Sequence, residues 1–595
     1  MINIEELRKI EPNILTYGSY PSIIQSILDF DFHSGRSEPT VKGIIASGRR
    51  FERYFFGTKE VLIPVFSSFE RVSIKQREKI NLFLNLSSGR RVLTSTVMAL
   101  EVLPNLVGGV LFAENVPEKH ALELKTLADL KDIFLVGPAS VGILIPNILK
   151  IGAIGGVETK QLFEAGLFEE GSVAVFSASG GTTNELINIL ANAGKRLAFS
   201  LHFGGERFPI TTPEEAFLAA EKDRKTTHVV YFGELGGTDE YEVIQLIQTG
   251  KVKKPIYCYI AGTVAEIFPS SPQFGHAKAM AATKEETARA KRDALKSAGV
   301  NVAESFSEFV KMLQKLPSKN ASRKSSKMIP MKDRKPALIS SSLSYDKDGK
   351  VMVLGDDLLT LSKNHSFAYI VSSILLGKKA KSKELEEFVD FVLRLLVDHG
   401  PYMSGAVNTI ITARAGRDLV SSLSAGLLTI GPRFGGAINE AAGNWIDGVS
   451  SDKNAAKFVE EFAAMKKYIS GIGHRKYRVD LPDPRVSEIL KHAERLSAKF
   501  TKFAKGVEKI TVAKKGNLIL NVDGAIAAVL LDILSEKEGY SNDDLKHLVE
   551  IEFFNALFVI SRSVGFIGHF LDQKRLDEGI FRLSEEHVSE AKLND

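Results

Sequence analysis

Cysteine is nearly absent: the 595 residues hold one, Cys258, inside the apolar run Pro255–Ala261. A single cysteine closes no internal disulfide and builds no cysteine-rich zinc site. In this setting it reads as a buried small hydrophobe. Every long apolar run is interrupted by charge or glycine, so none predicts a membrane span. The opening stretch MINIEELRKIEPNIL has no signal-peptide core. An excess of one charge is lacking too: 77 Lys and Arg stand against 72 Asp and Glu, a net +5 spread along the chain. That leaves little electrostatic footprint for nucleic acid. The Gly-x4-Gly-Lys-Ser/Thr phosphate loop is missing, so a P-loop is not how ATP would be held. The expectation is a cytoplasmic chain that binds neither nucleic acid nor membrane. It would have no metal site and no permanently bound cofactor.

What is present is ordinary globular composition, 44% hydrophobic and 25% charged, in a chain too long for one core. From about Lys42 to Leu316, short apolar runs end in glycine or small polar residues. They are Gly108–Ala113, Ile133–Gly137, Val173–Gly180, Leu197–Gly204, His228–Gly233 and Pro255–Gly262. Helix-forming stretches such as Asn184–Leu190, Glu240–Gln248 and Lys284–Ala298 alternate with them. The alternation predicts α/β structure with parallel sheets, and ligands beyond the carboxyl ends of the strands. Pro317–Pro336, with seven basic residues, one acid and several Ser and Pro, reads as an exposed linker. After about Ala337 the apolar spacing turns helical, as in Leu385–Val397, Asp418–Leu428, Asn454–Tyr468 and the stripe Ile489, Ala493, Leu496, Phe500, Phe503.

Three glycine-rich turns follow strands in the first half: Gly137–Gly142 (GPASVG), Ser177–Glu185 (SASGGTTNE) and the loop around Gly275. Gly180 and Gly181, opening a helix, make a cradle for phosphate or carboxylate. His276, in QFGHAKA, is either a structural histidine or a phosphoryl carrier. The second role needs a carboxylate to orient the ring, and Glu114 at the strand end LFAE is the candidate.

In the second half, His399, His474, Arg475, Arg485, Asp523 and Arg562 stand in four unusual blocks around DHGPYMSG, GIGHRKYRVDLPDPRV, NLILNVDG and SRSVGFIGHF. Singly, each could be a satisfied structural polar residue. Together the arginines suit a polycarboxylate through bidentate pairing. Asp523, following an apolar run, suits acid–base work.

The order of these motifs resembles ATP-citrate lyase over roughly Leu28 to Phe581. The runs FGTKEVLIPVF, AENVPE, GPASVG, SASGGTTNE, FGELGG and QFGHA resemble the α-subunit half of succinyl-CoA synthetase, and the later blocks resemble citrate synthase. The resemblance implies four segments. Residues 1–165 would be a Rossmann-like CoA-binding domain and 166–316 a flavodoxin-like CoA-ligase domain. Residues 317–336 would be a linker, and 337–595 a mostly α-helical citrate-synthase-like domain.

It implies that His276 takes phosphate from ATP, steadied by Glu114, and passes it to citrate held at Gly180 and Gly181. CoA would meet Arg90, Lys514 and Lys515. The citryl group would be bound by His399, His474, Arg475, Arg485 and Arg562. In the cleavage to acetyl-CoA and oxaloacetate, a histidine, His474 in the first instance, would accept the hydroxyl proton, and Asp523 would protonate carbon. ATP and Mg2+ would reside on a partner subunit of ATP-grasp fold, as in the heteromeric form, with self-association through the citrate-synthase-like half. Phe434 replaces the enol-stabilising histidine of citrate synthase. Val407, the SASGGTTNE ending and Lys278 depart from the usual lyase pattern. The alternative is a stand-alone citryl-CoA lyase, or a citrate-synthase relative acting on a citrate analogue.

Overall fold

The computed structural model describes residues 2–268, 271–276, 278–317, 333–431, 436–451 and 454–589. The chain divides into two compact units, Met1–Leu338 and Ile339–Asp595.

The first unit is built on two seven-stranded sheets. The first sheet contains β1 (Ile14–Tyr17), β2 (Val41–Ile45), β3 (Phe51–Phe56), β4 (Lys59–Phe66), β5 (Leu82–Asn85), β6 (Gly108–Leu111) and β7 (Phe134–Val136). Their spatial order is β3-β4-β2-β1-β5-β6-β7, all parallel except the β3–β4 pair at one edge. Counting the parallel strands alone, this is the 3-2-1-4-5-6 order of a doubly wound nucleotide-binding sheet, reversing between β1 and β5. β5 and β6 are buried at every position, as a sheet covered on both faces requires.

The second sheet contains β8 (Ile143–Ile145), β9 (Leu149–Ile151), β10 (Val173–Ser177), β11 (Leu197–His202), β12 (His228–Glu234), β13 (Ile256–Ala261) and β14 (Asn301–Val302). The order is β14-β13-β12-β10-β11-β8-β9. Its five parallel strands follow the flavodoxin-like 2-1-3-4-5 order, and an antiparallel hairpin, β8–β9, extends the β11 edge. Here the order reverses between β10 and β12. The crevice beyond their carboxyl ends is where such a fold receives ligands.

The second unit is largely helical, with one small antiparallel sheet of β15 (Ser344–Lys347), β16 (Lys350–Val353) and β17 (Asp356–Asp357). Helix Val522–Glu536 is buried on nearly every side, which marks it as the centre of the unit. Helix Phe553–Arg575 is long and apolar enough to cross a membrane by length and composition, although no single run in the sequence suggests it. It packs instead against helices Ser404–Arg414, Leu419–Leu427, Lys383–Leu395 and Ala437–Ser450.

The structure departs from the sequence reading in several places. The α/β pattern begins well before Lys42, because Ile14–Tyr17 is a central strand of the first sheet. The stripe from Ile489 to Phe503 is not one helix. Helix Pro484–Lys491 ends, and Ala498 takes a left-handed φ of 54° before helix Lys499–Lys514. Carboxylates of the neighbouring helix cause the break: Glu536 accepts from Ser497 and Ala498, and Asp532 from Phe500 and Thr501. Those bonds satisfy the orphan amides of a helix start that has no cap of its own. The expected linker lies mostly outside the described residues, but its end is not a free tether. Arg334 is buried against Asp29, donates to the Gly57 carbonyl at 3.1 Å and lies over the Phe55 ring.

Candidate functional site

The first cluster sits at the β10/β12 reversal. β12 delivers Glu234 at its last position, and the loop after β13 returns His276 to it. Glu234 Oε2 lies 2.9 Å from His276 Nδ1, with the His276 side chain 38% exposed and Glu234 15%. The carboxylate therefore holds the Nδ1 proton and turns Nε2 outward as a lone pair. The hydrogen bond to Glu234 raises the imidazole pKa and burial opposes it, with the charges of Glu234, Glu114 and Glu206 adding to the rise.

Glu234 is itself fixed from beneath. The buried Lys291 ammonium donates to the carbonyls of Glu234 (3.0 Å) and Gly236 (2.7 Å) and pairs with Glu240 at 2.6 Å. Lys278, paired with Asp239, ties the His276 loop to the helix after β12. Burial lowers the Lys278 pKa to about 7, and the Lys291 charge acts in the same direction.

Gly205 lies against the imidazole, where a Cβ would come within 2.5 Å of His276 Cδ2. Helix Gly180–Asn192 opens toward the same space. Its cap, Ser179, accepts from Thr182, and a Cβ on Gly181 would meet nothing within 4 Å. The first-turn amides and the helix dipole there favour an anion.

Glu114 is exposed and acts on His276 only through its charge, so the ring's hydrogen-bond partner is Glu234 and not the residue expected from sequence. The signal was available, because Glu234 stands in the FGELGG motif. Glu206 and Gly205 were missed as well. Arg90 is exposed beyond β5, at the reversal of the first sheet, in a loop whose Gly89 approaches the Glu114 and Asn115 carbonyls. Cys258 is buried, which pushes its thiol pKa up.

The second cluster lies in the helical unit. Arg562, on helix Phe553–Arg575, is 5% exposed. Its Nε and Nη1 meet no hydrogen-bond partner among the described residues, and its guanidinium lies over Phe558 at 4.9 Å. Two turns on, His569 holds Asp398 at 3.0 Å and so anchors the loop that carries His399. Arg485 is gripped by Asp483 at 3.0 and 2.7 Å and reaches His399 Nδ1 at 3.3 Å.

His474 Nδ1 accepts two backbone amides, from Lys476 and Tyr477, each at 3.0 Å. Asp523 is in the first turn of helix Val522–Glu536, whose cap Asn521 bonds the Gly473 carbonyl at 3.0 Å. That bond joins the His474 loop to the Asp523 helix. Burial raises the Asp523 carboxyl to about 6, against the pull of Arg485 and Arg562. Burial lowers both His399 and His474, reinforced at each by Arg485, so both rings are neutral near pH 7.

Arg475, Lys514 and Lys515 are exposed beside this cluster. The turn after the two lysines is joined to the His474 loop through Gly516–Val479 and Asn517–His474 backbone bonds. Phe434 lies outside the described residues. Among the described residues, no three His, Cys, Asp or Glu side chains gather as a metal site.

Comparison with known proteins finds relatives that match both halves of the chain. Residues 241–584 match the family model for the citrate synthase C-terminal domain, and residues 176–301 match that for CoA-ligase. The probable ATP-citrate synthase subunit 1 of Neurospora crassa is 36% identical, over 95% of this chain and 87% of its own. The ATP-citrate synthase of Bos taurus is 35% identical over 97% of this chain and 54% of its own. The structure of ATP citrate lyase from Methanothrix soehngenii in complex with citrate and coenzyme A is 32% identical, covers 98% of both chains and gives a TM-score of 0.51. With more than a third of its residues identical to subunits that it covers nearly end to end, the chain belongs to the ATP-citrate synthase (ATP-citrate lyase) family.

Proposed function

We propose that this chain is the catalytic subunit of a heteromeric ATP-citrate lyase, converting citrate and CoA to acetyl-CoA and oxaloacetate in the cytoplasm. The observation that carries the proposal is the coexistence of two complementary clusters. One is an outward-facing imidazole held by Glu234 at a sheet reversal. The other contains a buried guanidinium, Arg562, whose Nε and Nη1 meet no acceptor among the described residues.

In the first unit, His276 Nε2 attacks the γ-phosphorus of ATP, which a partner subunit would hold with Mg2+, and the bridging P–O bond breaks to release ADP. Glu234 stabilises the charge that develops on the ring. A citrate carboxylate over Gly180 and Gly181 then takes the phosphoryl group, and CoA thiolate displaces phosphate to give citryl-CoA. Arg90, at the reversal of a nucleotide-type sheet, is the proposed CoA contact of this unit. The name "subunit 1" borne by the fungal relatives supports a separate partner.

In the second unit, Arg562 and Arg485 bind the carboxylates, with the exposed Arg475 at the margin and Lys514 and Lys515 toward the CoA phosphates. With Nδ1 occupied by two amides, the neutral His474 presents Nε2–H. We infer that it donates to the hydroxyl oxygen as that oxygen becomes the ketone, instead of acting as the base. His399, whose Nδ1 faces Arg485, presents its Nε2 side in the same way. Asp523, largely ionised at pH 7, then takes the hydroxyl proton. It returns that proton to the methylene carbon released when the C–C bond breaks.

The test is intact-protein mass after mixing with the partner and Mg-ATP, which should show an acid-labile phosphate on His276. Turnover of citrate, ATP and CoA by this chain without any partner would sink the heteromeric reading. Activity on citryl-CoA with no phosphate ever found on His276 would favour a stand-alone citryl-CoA lyase. Glu234→Gln is expected to slow phosphorylation of His276 by about 10- to 100-fold, the usual cost of losing a partner that orients a reacting imidazole. Stopped-time radiolabelling with ATP checks it.

Arg562→Met should have two effects of opposite sign. Removing a buried guanidinium with two unmet donors among the described residues is expected to raise stability by about 1–3 kcal/mol. Losing the guanidinium should raise the KM for citryl-CoA by about 100-fold. Thermal unfolding and steady-state kinetics on the same variant read the two separately.

A further inference from the structure

The first cluster holds a second histidine with no part in the phosphoryl transfer described so far. His202 ends β11 and is 2% exposed. The turn GPASVG is folded around it. The Val141 amide donates to His202 Nδ1 at 2.9 Å, and the Ser140 hydroxyl donates to the His202 carbonyl at 2.5 Å. With Nδ1 accepting, the proton of the neutral ring sits on Nε2. That Nε2 is enclosed and meets no described acceptor at hydrogen-bonding geometry, although the Ala178 carbonyl lies near enough to favour the charged ring, second only to the burial that opposes it. A buried donor left without an acceptor is uncommon and calls for one.

The ring lies against the start of helix Gly180–Asn192, where a Cβ on Gly180 would be 3.5 Å from His202 Cε1, the atom next to Nε2. Burial lowers its pKa to about 4, and the charge of His276 acts in the same direction, so the ring stays neutral.

The geometry points to His202 as a fixed Nε2–H donor to the oxyanion, carboxylate or phosphoryl, held over Gly180 and Gly181 beside His276. This rests on the phosphohistidine reading of the site and extends it. The two histidines are set to opposite tasks by what each Nδ1 touches. Glu234 takes the Nδ1 proton of His276 and leaves a nucleophilic Nε2. Val141 occupies the Nδ1 lone pair of His202 and leaves a donor that cannot compete for phosphate. During transfer the carboxylate O–P bond forms as the His276 Nε2–P bond breaks. The electron pair returns to His276, and His202 keeps its proton while bonding an oxygen whose charge changes.

The test uses the full chain as wild type, His202→Ala and His202→Gln, whose amide retains an acceptor and a donor. Carbethoxylation of His276 by diethyl pyrocarbonate, read by peptide mass, is titrated with inorganic phosphate. In parallel, phosphorylated chain made with the partner is mixed with citrate, and decay of phosphohistidine is followed against citrate concentration. For His202→Ala, half-protection by phosphate, half-maximal decay by citrate, or both should need about tenfold more ligand, and His202→Gln should recover part of it.

The unliganded rate of His276 modification should not move, which separates ligand contact from a disturbed fold. A shift with phosphate assigns the donor to the phosphoryl group, and a shift with citrate alone assigns it to the carboxylate. No shift in either overturns the inference. Phosphate protection needs no partner and no turnover. If wild type never acquires phosphate on His276, the phosphohistidine reading fails while His202 is still judged by protection.

Discussion

Replacing His276 by Asn is expected to abolish citrate activation, by at least about 10^4-fold, the scale on which loss of a covalent nucleophile is felt. Cleavage of supplied citryl-CoA should stay within about twofold of wild type, because His276 and the His474–Asp523 cluster belong to different compact units. Asn is the chosen substitution because its amide nitrogen can still donate to Glu234, so the network of Lys291, Glu240 and Glu234 is not left with an unpaired carboxylate. The amide has no lone pair able to form a phosphoramidate. The measurements are acid-labile phosphate by intact mass with partner and Mg-ATP, and acetyl-CoA release from citrate and from citryl-CoA. A parallel fall in both activities would mean that the two clusters do not divide the chemistry as proposed.

Much of this arrangement is legible in the sequence because the relevant signals are local. Apolar runs closed by small residues give β6, β7, β10, β11, β12 and β13 to within a few positions but not the β8–β9 hairpin, and the motifs at their ends single out His276, Gly180 and Gly181. What the sequence conceals depends on contacts between distant segments. Glu114 and Glu234 are both glutamates at strand ends, and only the strand order decides which of them reaches Nδ1 of His276. His202 looks like the last residue of a buried strand, and nothing nearby shows that Val141, in another turn, has fixed its tautomer.

The same limit applies in the helical half. His399, His474, Arg485, Arg562 and Asp523 are recognisable as polar residues in unusual blocks. That Nε and Nη1 of Arg562 meet no acceptor among the described residues and that His474 Nδ1 accepts two backbone amides are tertiary facts. The break at Ala498 is likewise invisible, since the carboxylates that cap the following helix, Asp532 and Glu536, lie more than thirty residues away.

Asp523→Asn should cost the cleavage of citryl-CoA about 10^2- to 10^4-fold, the range for removing a general acid–base group. Phosphorylation of His276 should be unaffected. The pH profile carries the sharper prediction. Burial sets the Asp523 carboxyl to about 6. If the carboxylate accepts the hydroxyl proton, kcat/KM for citryl-CoA should fall about tenfold per pH unit below that value, and the variant's residual rate should lack this limb. A limb that survives in Asp523→Asn would move the proton to another group.

Stability should change in the opposite sense to activity. The folded-state pKa of about 6 lies above the ordinary aspartate value of 3.8, so folding favours the neutral acid. The benefit of that neutral form is complete below pH 4 and is lost as pH rises through 6, leaving a penalty of at most about 3 kcal/mol at pH 7 and above. Asn, isosteric and uncharged, escapes that penalty. The variant should therefore unfold later than wild type at pH 8, with the gain shrinking steadily toward pH 4. Denaturation midpoints across that range would show it. A variant less stable than wild type at pH 8 would mean that Arg485 and Arg562 hold the carboxylate more firmly than burial opposes it. The catalytic carboxyl would then have to be sought at an ordinary, low pKa.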